Sequence, residues 1–238
     1  MIISRSKNLI FVRTRKVAGT SIEFALSRHC RDPDDVITPI RNDIERAAVG
    51  VWPRNFMRLP RLEDEYRAVV ASGDAERVKS AQLAMRKDMN FWDHISARQI
   101  RDRVGEEFWR GAVKVSVIRD PYEFIVSQLH FQLYERGVAI TPARRLVELL
   151  SIVLRIPRNI DVISIDGRIA VDRVLRYESL REELRGLAAI VGADISGELP
   201  HFKAGIRPST ATPESELGPW IRRLIAWRWR REFETFGY

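Results

Sequence analysis

Residues 15–23 read RKVAGTSIE and residues 119–127 read RDPYEFIVS. Both put a cation and hydroxyls where the chain leaves an apolar run and enters a helical pattern. In the first, Lys16 precedes a small-residue turn, Val17-Ala18-Gly19, followed by Thr20 and Ser21. The backbone N–H groups of such a turn, with the positive end of the helix behind them, make an anion site. Gly19 admits close backbone approach. Thr20 and Ser21 either cap the helix or donate hydroxyl hydrogen bonds to a phosphate. Lys16 adds a point charge at the entrance. The spacing is not the G-x-x-x-x-G-K-[ST] of the triphosphatase loop. In the second segment, Arg119 ends the apolar run VKVSVI, where open α/β sheets gather ligands. Ser127 follows two turns into the next helix, and a guanidinium and a hydroxyl so placed suit a second phosphate. Each segment also has an ordinary structural reading. The first is then a capped strand–turn–helix junction with a surface lysine. In the second, Arg119 pairs with Asp120 or Glu123, and Ser127 bonds to its own helix.

Taken as a pair, in this order and about 100 residues apart, the segments resemble the sulfotransferases that use 3′-phosphoadenosine-5′-phosphosulfate (PAPS). In that family, PK-x-x-G-T-S binds the 5′-phosphosulfate and R-[DN]-P-x-x-x-x-x-S binds the 3′-phosphate. VDRVLRYESLREEL at 171–184 and REFETFGY at 231–238 extend the likeness toward the carbohydrate-type branch, and it lapses over residues 31–90. Arg15 stands where the family usually has proline. The resemblance implies that Arg15, Lys16, Val17, Ala18, Gly19, Thr20 and Ser21 cradle the phosphosulfate, while Arg119 and Ser127 hold the 3′-phosphate. It also implies Tyr177 beside the adenine, and Lys203 and Arg207 in a basic loop closing over the 3′-phosphate. Tyr177 reads equally as core packing, and the two basic residues as a solvated loop.

The implied reaction moves a sulfuryl group from PAPS to an acceptor hydroxyl of a carbohydrate or glycolipid, and releases adenosine 3′,5′-bisphosphate. Lys16 would be the catalytic cation for charge developing on the leaving phosphate. His94, in NFWDHISARQI, lies where this branch often has a catalytic base. A histidine titrating near neutrality suits that role. His94 also reads as a capping or half-buried histidine beside Trp92, and His130, three residues after Ser127, is the rival base. No metal is implied, and no set of zinc ligands is read in the sequence.

The elements that must position these residues follow from patterning. Apolar runs at 8–12 and 113–118 predict strands, each entering a helix. Asp120, Pro121 and Glu123 form a helix-start signal, with Glu123 in capping-box position, for a helix over 121–134. Thr141-Pro142 opens another over 142–155. Residues 31–62 are punctuated by Pro33, Pro39, Pro53 and Pro60 and read as loops, and 63–88 reads as two helices broken near Ser72–Gly73. Asp166-Gly167 predicts a hairpin between strands at 160–165 and 169–174. Helices are expected at 178–191, ended by Gly192, and at 219–236, with an apolar stripe of Ile221, Leu224, Ile225, Trp229, Phe233 and Phe236. The alternation predicts one α/β domain over 1–238, a mainly parallel central sheet flanked by helices, with 31–90 as an acceptor-binding insertion. By resemblance, the architecture is that of the P-loop-kinase-like sulfotransferases.

The 238 residues are 45% apolar and 30% charged, a globular balance. Cys30 is the one cysteine, which excludes a disulfide framework. The formal charge of +8 suits an anionic ligand. No RNA-binding or zinc-finger signature supports nucleic acid as the partner. Without a signal peptide or membrane-length apolar run, the chain is expected to be cytoplasmic, and bacterial. Two alternatives remain. One is a P-loop small-molecule kinase. The other is a membrane-surface module using PWIRRLIAWRWRREFETFGY, whose tryptophans and Arg222, Arg223, Arg230 and Arg231 suit peripheral contact.

Overall fold

The computed structural model describes residues 1–137, 141–200, 202 and 205–238. Among the described residues there are seven strands: β1 Ile2–Ser4, β2 Leu9–Val12, β3 Val36–Ile37, β4 Val113–Ile118, β5 Ser164–Ile165, β6 Arg168–Ile169 and β7 Arg173–Arg176. Five form a sheet in the order β3-β1-β2-β4-β7, and β5 pairs with β6 in a separate two-stranded ribbon. β2, β4 and β7 are parallel neighbours, with Val12 opposite Ser116 and Ile118 opposite Arg176. β1 runs antiparallel to both β2 and β3. The expected mainly parallel sheet is therefore a mixed one. The difference comes from Ile2–Ser4, too short a run to read as a strand, which folds back on β2 through a turn at Arg5–Asn8.

Side chains alternate across the sheet, and both faces are covered. Ile10 and Val12 of β2 join one apolar cluster with Phe56, Tyr66, Val70 and Ile100. Leu9 and Phe11 join another with Ile22, Leu26, Leu184 and Val191. Continuous apolar runs are what a sheet buried on both faces requires. A third cluster lies off the sheet, where the Pro121–Arg136, Pro142–Arg155 and Pro219–Arg228 helices pack around Phe124, Ile152, Ile225 and Trp229.

Several expected elements form as read. β4 spans 113–118, and the Pro60–Ala71 and Ala75–Ala84 helices flank Gly73, whose φ is 72°. Others differ. Residues 31–62 hold β3 and an Asp43–Ala48 helix as well as loops. The strand expected at 160–165 is helical over its first half, in an Asn159–Val162 helix where Glu232 accepts the Ile160 N–H (2.8 Å), while Ser164–Ile165 pairs with Arg168–Ile169 in the expected hairpin. The 178–191 helix is split around Gly186, and Gly192 ends it in the left-handed region. The last helix breaks at Trp229, which is buried under Phe124. Its stripe docks on the chain's own helices, while Trp220 and Trp227 stay exposed at 51% and 71%. Among the described residues no helix is long and apolar enough to cross a membrane.

Candidate functional site

The three parallel strands end on one edge of the sheet. β2 delivers Arg13 to Lys16, β4 delivers Arg119 and β7 delivers Tyr177. Parallel neighbours share a C-terminal edge, so two segments far apart in sequence must meet there.

The turn after β2 is held from outside itself. Thr14 donates its hydroxyl to the Val117 carbonyl of β4. Asn159 brackets Arg15, accepting its N–H at 2.9 Å and donating to its carbonyl at 3.0 Å. Lys16 and Ala18 then take φ of 60° and 57°. For residues with a Cβ this left-handed conformation costs about 1–2 kcal/mol each, and it persists where the surroundings fix it. The helix Gly19–Ser27 starts without a side-chain cap. Its first amide groups therefore remain open to a ligand. That outcome corrects the capping alternative for Thr20 and Ser21.

Gly19 is needed for a reason other than backbone conformation. A Cβ there would lie 2.7 Å from Nε and 2.9 Å from Cγ of Arg13. Arg13 crosses the start of the helix to reach Thr20 (3.0 Å) and the buried carboxylate of Glu23 (3.2 Å). The Ser21 hydroxyl has no hydrogen-bond partner among the described residues, and Lys16 Nζ lies 3.9 Å from the centre of the Phe131 ring.

Arg119 ties the two segments together. Its Nη1 donates to the Lys16 carbonyl (3.2 Å), its Nη2 to Glu123 (2.8 Å), and its guanidinium lies 4.2 Å from the Tyr177 ring centre. The Glu123 pairing read from sequence is thus present, but it is one contact of three. Arg207 also grips Glu123, at 2.5 and 3.2 Å, so two guanidinium groups share one carboxylate. Arg207, and then Arg119, hold that carboxyl below the usual range. Glu123 does not reach back to complete a capping box. The Asp120 N–H goes instead to Glu178 (2.9 Å), while Asp120 accepts the Glu123 N–H. The Ser127 hydroxyl makes no bond to its own helix among the described residues. Lys203 lies outside the described residues.

His94 is the half-buried histidine of the site, its side chain 14% exposed. Nδ1 lies 3.3 Å from the Arg13 carbonyl, an acceptor only, so the proton sits on Nδ1. Nε2 lies 3.3 Å from Asp93. Burial pulls the imidazole down to about 3, with Arg13 and Arg15 acting the same way against Asp93. Burial works to raise the Asp93 carboxyl, but His94 and Arg13 hold it well below the usual range. His130 is placed elsewhere, with Nε2 3.6 Å from Glu216, and does not line the cleft described next.

One cleft of about 1200 Å³ is lined by residues 13–21, His94, Arg119, Ser127 and Tyr177. Neither Arg207 nor Glu123 lines it; Arg207 is linked to the cleft through Glu123, which also holds Arg119, and through its neighbour Ile206, which lines the cleft. Among the described lining residues eight are Lys or Arg and three are Asp or Glu, so the lining carries an excess of positive charge. Nε of Arg13, Arg15 and Arg119 are buried there without an acceptor. Arg13, Asn159 and Phe131 were not singled out from sequence. Arg13 carried one signal, a charged residue directly after a strand, whereas Asn159 lies 144 residues from the backbone it holds. No family model matches the chain, and comparisons with curated proteins and with solved structures returned no match.

Proposed function

We propose that the chain is a PAPS-dependent sulfotransferase acting on a carbohydrate-type hydroxyl, with a fold related to the P-loop-kinase-like members of that class. The observation that carries this reading is the bond from Arg119 to the Lys16 carbonyl, which joins the two phosphate-type segments in one cationic cleft. The residues fit the nucleotide. Open amides at Gly19–Ser21 and the Lys16 ammonium suit the phosphosulfate, Arg119 and Ser127 suit the 3′-phosphate, and Tyr177 offers a ring beside them.

When bound, the nucleotide supplies the sulfuryl group, whose bond to the 5′-phosphate oxygen breaks as sulfur bonds to the acceptor oxygen. Lys16 and the turn amides stabilise the charge gained by the departing phosphate, preorganised as in an oxyanion hole. Nε2 of His94 receives the acceptor proton, and Asp93 steadies the resulting imidazolium. The His94 pKa is low in the empty cleft because of burial and two arginines. Anionic charge placed against those arginines raises it toward the working range.

A labelled-sulfate transfer screen over glycans, glycolipids and small alcohols tests this reading. Transfer from PAPS by the wild-type chain, lost in Lys16→Ala, is expected. ATP-dependent phosphorylation of the same acceptors, with no sulfate transfer, would replace the proposal with the kinase alternative.

A further inference from the structure

Glu232 is a carboxylate that the proposed chemistry does not use, yet it is buried, at 5% exposure, in the Arg230–Phe236 helix. Its Oε1 accepts the Ile160 N–H at 2.8 Å, while Oε2 is buried with no hydrogen-bond partner among the described residues. Ile160 follows Asn159, itself buried, whose amide holds both backbone groups of Arg15. A continuous line of contacts therefore runs from the last helix, through the Asn159–Val162 helix, to the turn after β2. The Asn159–Val162 helix has no side-chain cap of its own, and at four residues it is too short to hold its place alone. Glu232 supplies the acceptor that its open N–H groups need. Neither Glu232 nor Asn159 lines the cleft, so both act through Arg15.

Charges of both signs bear on this carboxylate. Arg158 and Asp161, paired at 2.8 and 2.9 Å, act on it from the short helix and the residue before it. Arg228 acts on it from the Pro219–Arg228 helix. On its own helix Arg231 turns away, to Ser164 and the Gly167 carbonyl. Burial, with Asp161, pushes the Glu232 carboxyl up to about 7, against the Ile160 N–H and the two arginines. The far end of the helix is tied separately, through Tyr238 to Glu178 (3.2 Å), so a change at 232 need not free it.

Resting on the sulfotransferase reading for the ligand, we infer that Glu232 is a positioning residue for the anion site. Its ionised carboxylate holds Ile160 and, through Asn159, fixes the turn after β2 in its binding form. A charged acceptor holds an N–H roughly twice as strongly as a neutral one. Ionisation therefore tightens the line, and protonation loosens it. Stability runs the other way. A carboxyl raised above its ordinary 4.5 favours the folded chain at low pH, and that contribution is lost as pH rises from 4.5 through about 7. Binding and stability then answer to Glu232 with opposite signs, which a merely structural carboxylate would not produce.

The test compares wild type with Glu232→Gln, which keeps an acceptor but no charge, between about pH 5.5 and 8.5. In calorimetry the variant should bind adenosine 3′,5′-bisphosphate about fivefold more weakly than wild type at the high end, and within about twofold at the low end. Thermal melts should show wild type losing stability relative to the variant as pH rises toward 7. Glu234→Gln, an exposed carboxylate on the same helix, should follow wild type throughout. In NMR of the empty wild-type chain, the Arg15 and Lys16 amides should move with the midpoint of the Glu232 carboxyl carbon. Amides that ignore that midpoint, or an affinity ratio that does not change with pH, overturn the inference. If the nucleotide binds neither chain, the functional reading fails instead, and the amide titration still decides whether Glu232 reaches the turn.

Discussion

His94 is a poor base as it stands, because an imidazole pulled down to about 3 takes a proton reluctantly. Its surroundings nonetheless favour accepting one at a single atom, since Nδ1 is committed to the Arg13 carbonyl and Nε2 faces an ionised Asp93. The account therefore expects ligand-dependent titration. In histidine NMR, His94 should titrate well below the ordinary 6.5 in the empty chain, and upward once adenosine 3′,5′-bisphosphate is bound. His94→Ala should lose turnover while keeping nucleotide affinity. An unshifted titration together with an active variant would remove His94 from the mechanism. The sign also bears on stability. The folded state resists protonating His94, so its contribution is complete above about 6.5 and is lost as pH falls toward 3.

At the scale of elements, the turn after β2 depends on a residue from a distant helix. Asn159 satisfies both backbone groups of Arg15, and without it the left-handed Lys16 and Ala18 lose the support that fixes them. Asn159→Ala should cost about 1–3 kcal/mol of stability and weaken nucleotide binding. Asn159→Asp, which keeps the acceptor and loses the donor, should fall between. Thermal melts and calorimetry on the same samples check this, and an Asn159→Ala chain with unchanged binding would show that the turn holds itself. The turn and β4 were legible in sequence because strand, loop and helix follow within a few residues. Asn159 was not, because its partner is brought near only by the fold. Of the strand expected at 160–165, Ser164–Ile165 forms and pairs across Asp166-Gly167, while 160–162 is helical for a similar reason. Its apolar pattern suited a strand, but the Glu232 carboxylate, from the last helix, supplies the helix start with an acceptor. Gly19 was legible as necessary, yet its cause was hidden. The close approach is that of the Arg13 side chain.

At the scale of the whole molecule, the sheet topology decides the site. β1 makes the sheet mixed, but β2, β4 and β7 stay parallel and bring their C-terminal ends to one edge. The excess of positive charge, +8 over the chain, is concentrated where that edge opens into the cleft, so the field favours an anionic ligand and is screened by salt. The most direct test of the account is calorimetric titration of adenosine 3′,5′-bisphosphate in magnesium-free buffer, on the wild-type chain and on folded Arg119→Ala. The account predicts one-to-one binding that weakens with added salt. Loss of a charged, multiply bonded contact worth about 1.5–3 kcal/mol should lower affinity by at least about tenfold in the variant. Equal affinity in both chains, or binding of magnesium ATP in preference to the bisphosphate, would contradict it.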